Sequence, residues 1–277
     1  MRLLAMTCIA MLAFAANSVL NRLAVGAGQI DPVVFAVVRL VSGAAVLAVL
    51  LALRRGVIWP GWRGRAPGVA GLLIYLFAFS AAYLGLDAGT GALILFGVVQ
   101  ITMFAGAWAG KEVVPRRRIS GAVLAMAGLV VLLAPQGGAL IPQLAMALAG
   151  VGWGVYSLAG RGQNDALAAT AWNFVLAVPV GVAVLLVLPG HWTVQGVALA
   201  MLSGGVTSGM GYALWYAVVP QLGATRAAVA QLTVPLIAAA GGALMLAELP
   251  GPGFWLASAL VLGGVAVAST GIRVKTA

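Results

Sequence analysis

The side chains able to do chemistry are few, and most lie inside long apolar runs, where a polar group facing lipid is costly and by default faces other helices or a water-filled cavity. Gln100 sits at the middle of one such run; Asn17, Gln231 and Asn173 lie within a turn or two of the middle of theirs. An amide at that depth either ties two helices together, worth about 0.6 kcal/mol on average, or lines a path for a polar solute. Three aromatic rows accompany them. Tyr75, Phe79 and Tyr83 repeat every four residues and share a helix face, Tyr212, Trp215 and Tyr216 do the same, and Trp153 with Tyr156 forms a third row. Such rings can stack on a substrate side chain while their OH and NH groups bond its polar end. The alternative is helix packing, with Tyr83 and Trp215 in an interfacial belt. The candidate cavity residues are therefore Asn17, Tyr75, Phe79, Gln100, Trp153, Tyr156, Tyr212 and Gln231.

A second group has positions that suggest structural or gating work. Arg39 lies about 9 Å inside its run at 1.5 Å per residue. It can attract a substrate carboxylate, but snorkelling to the surface or capping helix carbonyl ends is the favoured reading. Glu112 and Glu248 end their runs at opposite membrane surfaces, as gates or caps would. Pro179 and Pro235 fall within helices, where each removes a backbone hydrogen bond and favours a kink; Pro235 is the candidate hinge. The pairs Gly106/Gly110, Gly150/Gly154 and Gly205/Gly209 have the spacing that lets helices approach closely. Catalysis finds little material here. One histidine, one cysteine and no mid-span carboxylate supply neither a nucleophile with its base nor a metal set, so neither an enzyme nor a cofactor is expected. The same lack of a mid-span acid leaves no obvious proton carrier, with Asp87, at a span end, the nearest candidate.

The elements that must position these residues follow from the charges. The 277 residues are 63% hydrophobic and 7% charged, which excludes an ordinary soluble domain. The gaps between charges, divided further at Pro135–Gly138, Pro189–Trp192, Pro220–Gly223 and Leu249–Gly253, predict ten helices near 3–21, 33–53, 66–86, 90–110, 119–134, 142–160, 167–188, 194–217, 225–247 and 253–271. Of 15 basic residues, all but Arg22 and Arg39 fall on one side if both termini are cytoplasmic. The net charge of +10 thus reports orientation in the inner membrane, and no nucleic-acid partner is needed to explain it. A signal peptide at the N-terminus is disfavoured, because cleavage would remove part of the repeat described next.

The chain is written twice. A shift of 136 residues lays Glu112 on Glu248 and Gly128–Val131 on Gly264–Val267; a shift of 139 lays Phe14–Ser18 on Trp153–Ser157 and Arg22 on Arg161. Residues 1–136 and 137–277 are the expected repeats. Five spans per copy is an odd number, so the second copy enters the membrane inverted, an arrangement common in secondary transporters with a site where the copies meet. A channel, built on the Ser203–Gly209 stretch, is the weaker alternative.

Phe14-Ala-Ala-Asn17-Ser18 and Trp153-Gly154 resemble the Trp-Gly entry of each repeat in the EamA-type drug/metabolite transporters. Arg39, and Gln231-Leu-Thr-Val-Pro235 followed by Glu248, are similar to further blocks of that repeat. Phe14 replaces the first Trp, and Val99 stands where the first repeat would match Pro235. The resemblance implies an all-α integral membrane fold of ten helices in two inverted five-helix repeats. It also implies export of amino acids or related metabolites, in the manner of exporters of the YddG type. With no proton carrier, a facilitator working by alternating access is expected; proton-coupled export of organic cations is the rival. The partners expected are a small-molecule substrate and the lipid bilayer, with the oligomeric state left open.

Overall fold

The computed structural model describes residues 1–54, 59–110, 115–133, 140–161 and 163–269. Ten helices occupy them: α1 (Arg2–Gly26), α2 (Pro32–Leu53), α3 (Arg65–Ala82), α4 (Ala88–Ala109), α5 (Arg116–Leu133), α6 (Leu140–Gly160), α7 (Ala166–Val187), α8 (Val194–Gly223), α9 (Val229–Leu246) and α10 (Pro252–Ser269). Eight are long and apolar enough to cross a membrane, and α5 and α10 carry the shorter apolar stretches Ile119–Val131 and Pro252–Ala268. Ends fall within a few residues of the positions that charges and turn residues predict, because a charge cannot be carried far into hydrocarbon and Gly and Pro end helices. Asp31, Asp87 and Asp165 precede α2, α4 and α7 with extended backbone. Asp165 accepts from the Ala168 N–H at 3.0 Å and Thr193 caps α8 through Gly196 at 3.0 Å. Glu112 and the Pro135–Gly138 turn lie outside the described residues.

The structure departs from the sequence-based helices in four places. Residues Arg22–Gly26 of α1 and Leu202–Met210 of α8 wind as π-helix, a register that propensity does not signal and that concentrates at functional sites. α8 runs through Pro220 and turns only at Gly223, whose φ of 72° suits a residue without a Cβ. Pro235 does not kink a continuous helix. A turn at Leu232–Thr233 interrupts the helix, and Pro235 sits in the first turn of the segment that restarts at Val234, where its missing N–H costs nothing.

Glycines set how closely the helices cross. A Cβ on Gly150 or Gly154 would strike Val98 or Thr102 of α4, and one on Gly205 or Gly209 would crowd Val46 of α2. Gly106 faces Leu158, whereas Gly110 meets only carbonyls of its own helix. Backbone-on-backbone crossings come from glycines without such spacing: Gly71 of α3 against Gly152 of α6, Gly121 of α5 against Gly264 of α10, and Gly204 of α8 against the Arg39 carbonyl of α2. Gly71 on Gly152 has a counterpart in Gly211 of α8 on Ala13 of α1, related by offsets of 140 and 139 residues along the chain.

Candidate functional site

Helices α1, α3, α4, α6, α7 and α8, with the start of α9, enclose two adjoining chambers. The larger, about 330 Å³, is walled by Phe96, Gln100, Trp153, Tyr156, Thr170, Asn173, Tyr212, Tyr216 and Gln231, among others, and reaches Gly160, Arg161 and Ala166 at one end of the bundle. Gly160 and Arg161 are exposed, so the chamber opens there. The smaller, about 20 Å³, lies deeper, between Phe14, Asn17, Ser18, Tyr75, Phe79, Leu95, Phe96, Trp153, Tyr212 and Gln231. A volume of that size holds about one water-sized group, while the larger is at the low end of the 300–1,000 Å³ of small-molecule sites.

All eight candidate cavity residues stand on these walls. Gln100 and Tyr156 line the larger chamber; Asn17, Tyr75 and Phe79 line the smaller; Trp153, Tyr212 and Gln231 line both. The rings interlock. Trp153 stacks on Tyr156 at 5.0 Å and on Tyr212 at 5.4 Å between centroids, and meets Tyr75 at 4.9 Å. Phe14, standing where the second repeat has Trp153, packs on Tyr212 and Trp215, each at 5.7 Å. Tyr156 OH donates to Thr170 Oγ1 (2.9 Å), which in turn donates to Tyr216 OH (3.0 Å). Neither described wall carries an acidic side chain.

Two buried arginines support the walls. Arg65, at the start of α3, donates to the Ala169 carbonyl and, at 2.8 Å, to Asn173 Oδ1, fixing an amide of the larger chamber. Nothing in the sequence marks this: a basic residue at a span end reads as topology. Gly68 makes the contact feasible, because a Cβ there would fall 2.8 Å from the Asn173 amide. Arg39 corrects the sequence-based expectation. It neither snorkels nor caps carbonyls; it is wholly buried, with Nε donating to Ser208 Oγ (3.1 Å) and Nη2 to Tyr75 OH (2.8 Å). Its guanidinium carbon lies 5.2 and 5.1 Å from the ring centroids of Tyr75 and Phe79. Ser208 passes the network on to Asn17, whose Oδ1 is within 2.6–3.3 Å of the hydroxyls of Ser203, Thr207 and Ser208 in the π-helical part of α8.

The opposite end is sealed. Arg22, in the π-helical end of α1, donates from Nε to Glu248 Oε1 at 2.6 Å and from Nη1 to the Tyr83 carbonyl at 3.1 Å. Glu248 Oε2 accepts the Ala88 N–H at 2.9 Å, capping α4 from just beyond the end of α9. One ion pair thus ties together the ends of α1, α3, α4 and α9. Tyr83 is buried against Phe79, at 4.9 Å, and is no interfacial belt residue. Asp87 stands beside this latch, its carboxyl pushed above the usual range by burial and then by the Glu248 charge, with Arg22 opposing. Around the latch the α1–α2 and α7–α8 loops are clasped. Ile30 and Trp192 form an antiparallel bridge, and Asp31 Oδ2 is 2.6 Å from both the backbone N–H and Nδ1 of His191.

Comparison with known proteins agrees with this architecture. An uncharacterized protein of Pseudomonas aeruginosa is 46% identical over 275 residues, which is 96% of this chain and 94% of that one. The aromatic amino acid exporter YddG of Ancylobacter novellus is 29% identical over 265 residues, 87% of this chain and 89% of its own. A solved crystal structure superposes with a TM-score of 0.65 at 23% identity over 94% of this chain and 97% of that one, a likeness of fold. The EamA-like transporter family matches residues 140–270. A multi-pass helical bundle with an internal chamber is what a carrier of small molecules requires, and the chain belongs to the EamA-like transporter family.

Proposed function

We propose that this protein exports neutral amino acids, aromatic ones among them, or related metabolites across the bacterial inner membrane, by alternating access and down the substrate's own gradient. The observation that carries the reading is the aromatic, amide-bearing chamber with no described acidic wall residue, open at the Arg161 end and latched at the Arg22 end. Rings accept an apolar side chain, while Gln100, Asn173, Gln231 and the tyrosine hydroxyls accept the polar end. An organic cation would find no carboxylate in the described walls, which counts against the multidrug alternative. The exporter of Ancylobacter novellus supports aromatic amino acids as the first substrates to try.

The excess of basic residues at the Arg161 end assigns it to the cytoplasm, with both termini on that side. The conformation is then inward-open, and export begins with loading from the Arg161 end. Each half of the chain is a structural repeat, and the matched crossings Gly71 on Gly152 and Ala13 on Gly211 are the pivots expected if the halves rock against each other. Glu248 serves as the outer gate, and the break before Pro235 is the place where α9 bends as it opens. The test is uptake of radiolabelled phenylalanine, tryptophan and leucine into proteoliposomes with and without an imposed pH gradient. Uptake insensitive to the gradient supports a uniporter; strict dependence refutes it and turns attention to Asp87.

A further inference from the structure

The Arg39 guanidinium is fully buried, yet among the described residues no anion pairs with it. Among the described residues its partners are two hydroxyls and two ring faces, and Nη1 has no hydrogen-bond partner at all. The field of the guanidinium also reaches the Tyr212 hydroxyl. Of the five acidic residues, Asp31, Asp87 and Asp165 immediately precede helices, Glu248 closes the latch and Glu112 follows α4 in sequence. None is in the middle of a span. A buried charge that lacks a counter-charge is expensive, and removing its environment from water makes any approaching anion more attractive. The cation–π contacts with Tyr75 and Phe79 offset only part of that cost.

Arg39 also stands in a particular place. Tyr75 and Phe79, which it bonds and overlies, form one wall of the smaller chamber; Asn17, reached through Ser208, and Tyr212 form others. The smaller chamber shares Phe96, Trp153, Tyr212 and Gln231 with the larger. An amphipathic solute that fills the aromatic chamber therefore meets, at its deep end, a small polar space backed by an uncompensated cation.

We propose that the smaller chamber is a carboxylate subsite and that Arg39 sets its specificity, with Tyr75 and Tyr212 carrying its influence into the chamber. This rests on the amino acid reading above and narrows it: the carboxylate is the recognised group, and the α-amino group is secondary. Substrates are carboxylates with an aromatic or apolar body, whether or not they carry an amine.

The test uses purified full-length protein in proteoliposomes, with labelled phenylalanine competed by 3-phenylpropionate, which lacks the amine, and by phenylalaninamide, which lacks the carboxylate. The melting temperature of the protein in detergent is read with the same three compounds. Phenylpropionate is expected to compete within about threefold of phenylalanine, and phenylalaninamide at least tenfold more weakly. Arg39→Lys keeps that order. Arg39→Gln brings the carboxylate and the amide within about threefold of each other, a change that a purely structural arginine would not produce. Should Arg39→Gln fail to fold, Tyr75→Phe removes the bridging hydroxyl with little change of shape and is expected to raise KM for phenylalanine about tenfold while leaving inhibition by the amide unchanged. Equal competition by phenylalanine and phenylalaninamide in the unmodified protein overturns the subsite and leaves amino acid transport standing. Neither transport nor thermal protection by any of the three overturns both.

Discussion

The two ends of the bundle are held by different chemistry. At the Arg22 end an ion pair with side chains only 23% and 12% exposed is reinforced by a backbone cap, a carbonyl and an interloop bridge. At the Arg161 end the cross-links among described residues include an exposed Arg54–Asp165 pair at 3.3 Å, with side chains 59% and 41% exposed, a Gln163 amide on the Arg63 carbonyl at 3.0 Å, and the buried hydrogen bonds, with no ion pair, from Arg65 to Ala169 and Asn173. Exposed pairs of this kind contribute about 0–1 kcal/mol, whereas charge-assisted bonds in a partly buried site are worth more and are costly to break singly. Under the alternating access proposed above, the difference teaches which end carries the barrier in this conformation. The open end has no buried ion pair among the described residues, and the other is shut by a single cluster that four helix ends share.

The strongest way to break that contrast is Arg22→Ala, which leaves Glu248 without its cation and frees the Tyr83 carbonyl. In a Cys8→Ser background carrying Ser18→Cys in the smaller chamber, labelling by a membrane-impermeant maleimide applied from the Arg22 side is expected to rise at least about tenfold. Unchanged labelling would show that the latch does not hold this end. Trp153→Ala comes next. It removes the ring that joins both chambers, and KM for the aromatic substrate is expected to rise about tenfold, with less effect on an aliphatic one. His191→Ala, which removes the ring contact with Asp31 and leaves the backbone bond, is expected to raise Ser18→Cys labelling only about twofold to fivefold, because the two side chains are 60% and 37% exposed.

The smallest effect is a pH dependence. Burial raises the Asp87 pKa in the latched state, so that state binds a proton more tightly than one in which Asp87 is solvated. Protonation therefore favours the latch, and the advantage disappears as pH rises through the raised value. Labelling from the Arg22 side is expected to increase modestly between the ordinary carboxylate range and neutral pH, and Asp87→Asn is expected to flatten the curve.

Depth along the membrane was legible in the sequence, and direction around each helix was not. Charges and Gly–Pro turns mark where spans end, so the levels of Gln100, Trp153 and Tyr212 follow from counting residues. Arg39 shows the limit. In a helix apolar on every face, periodicity cannot say whether a side chain at a known depth points outward or inward; a cation of that length can reach the surface from the same level at which it reaches Tyr75. Arg65 was missed for a related reason: its charge marks a span end whether or not the side chain turns back into the bundle. The interruption of α9 was half visible. Pro235 announces a disturbance, but only the packing shows it restarting a helix rather than bending one.

The lone guanidinium in α2 has a consequence for how the chain is made. Inserting an arginine well inside a spanning helix is costly, up to about 2.5–3.5 kcal/mol at the centre, and α2 leaves the ribosome before Tyr75 and long before Ser208 exist to receive its hydrogen bonds. The remainder of α2 must therefore carry the helix into the bilayer by itself. Its best window has a mean hydropathy of 2.5, the highest among the eight candidate spans, so the greasiest of these spans surrounds the most deeply buried charge among the described residues.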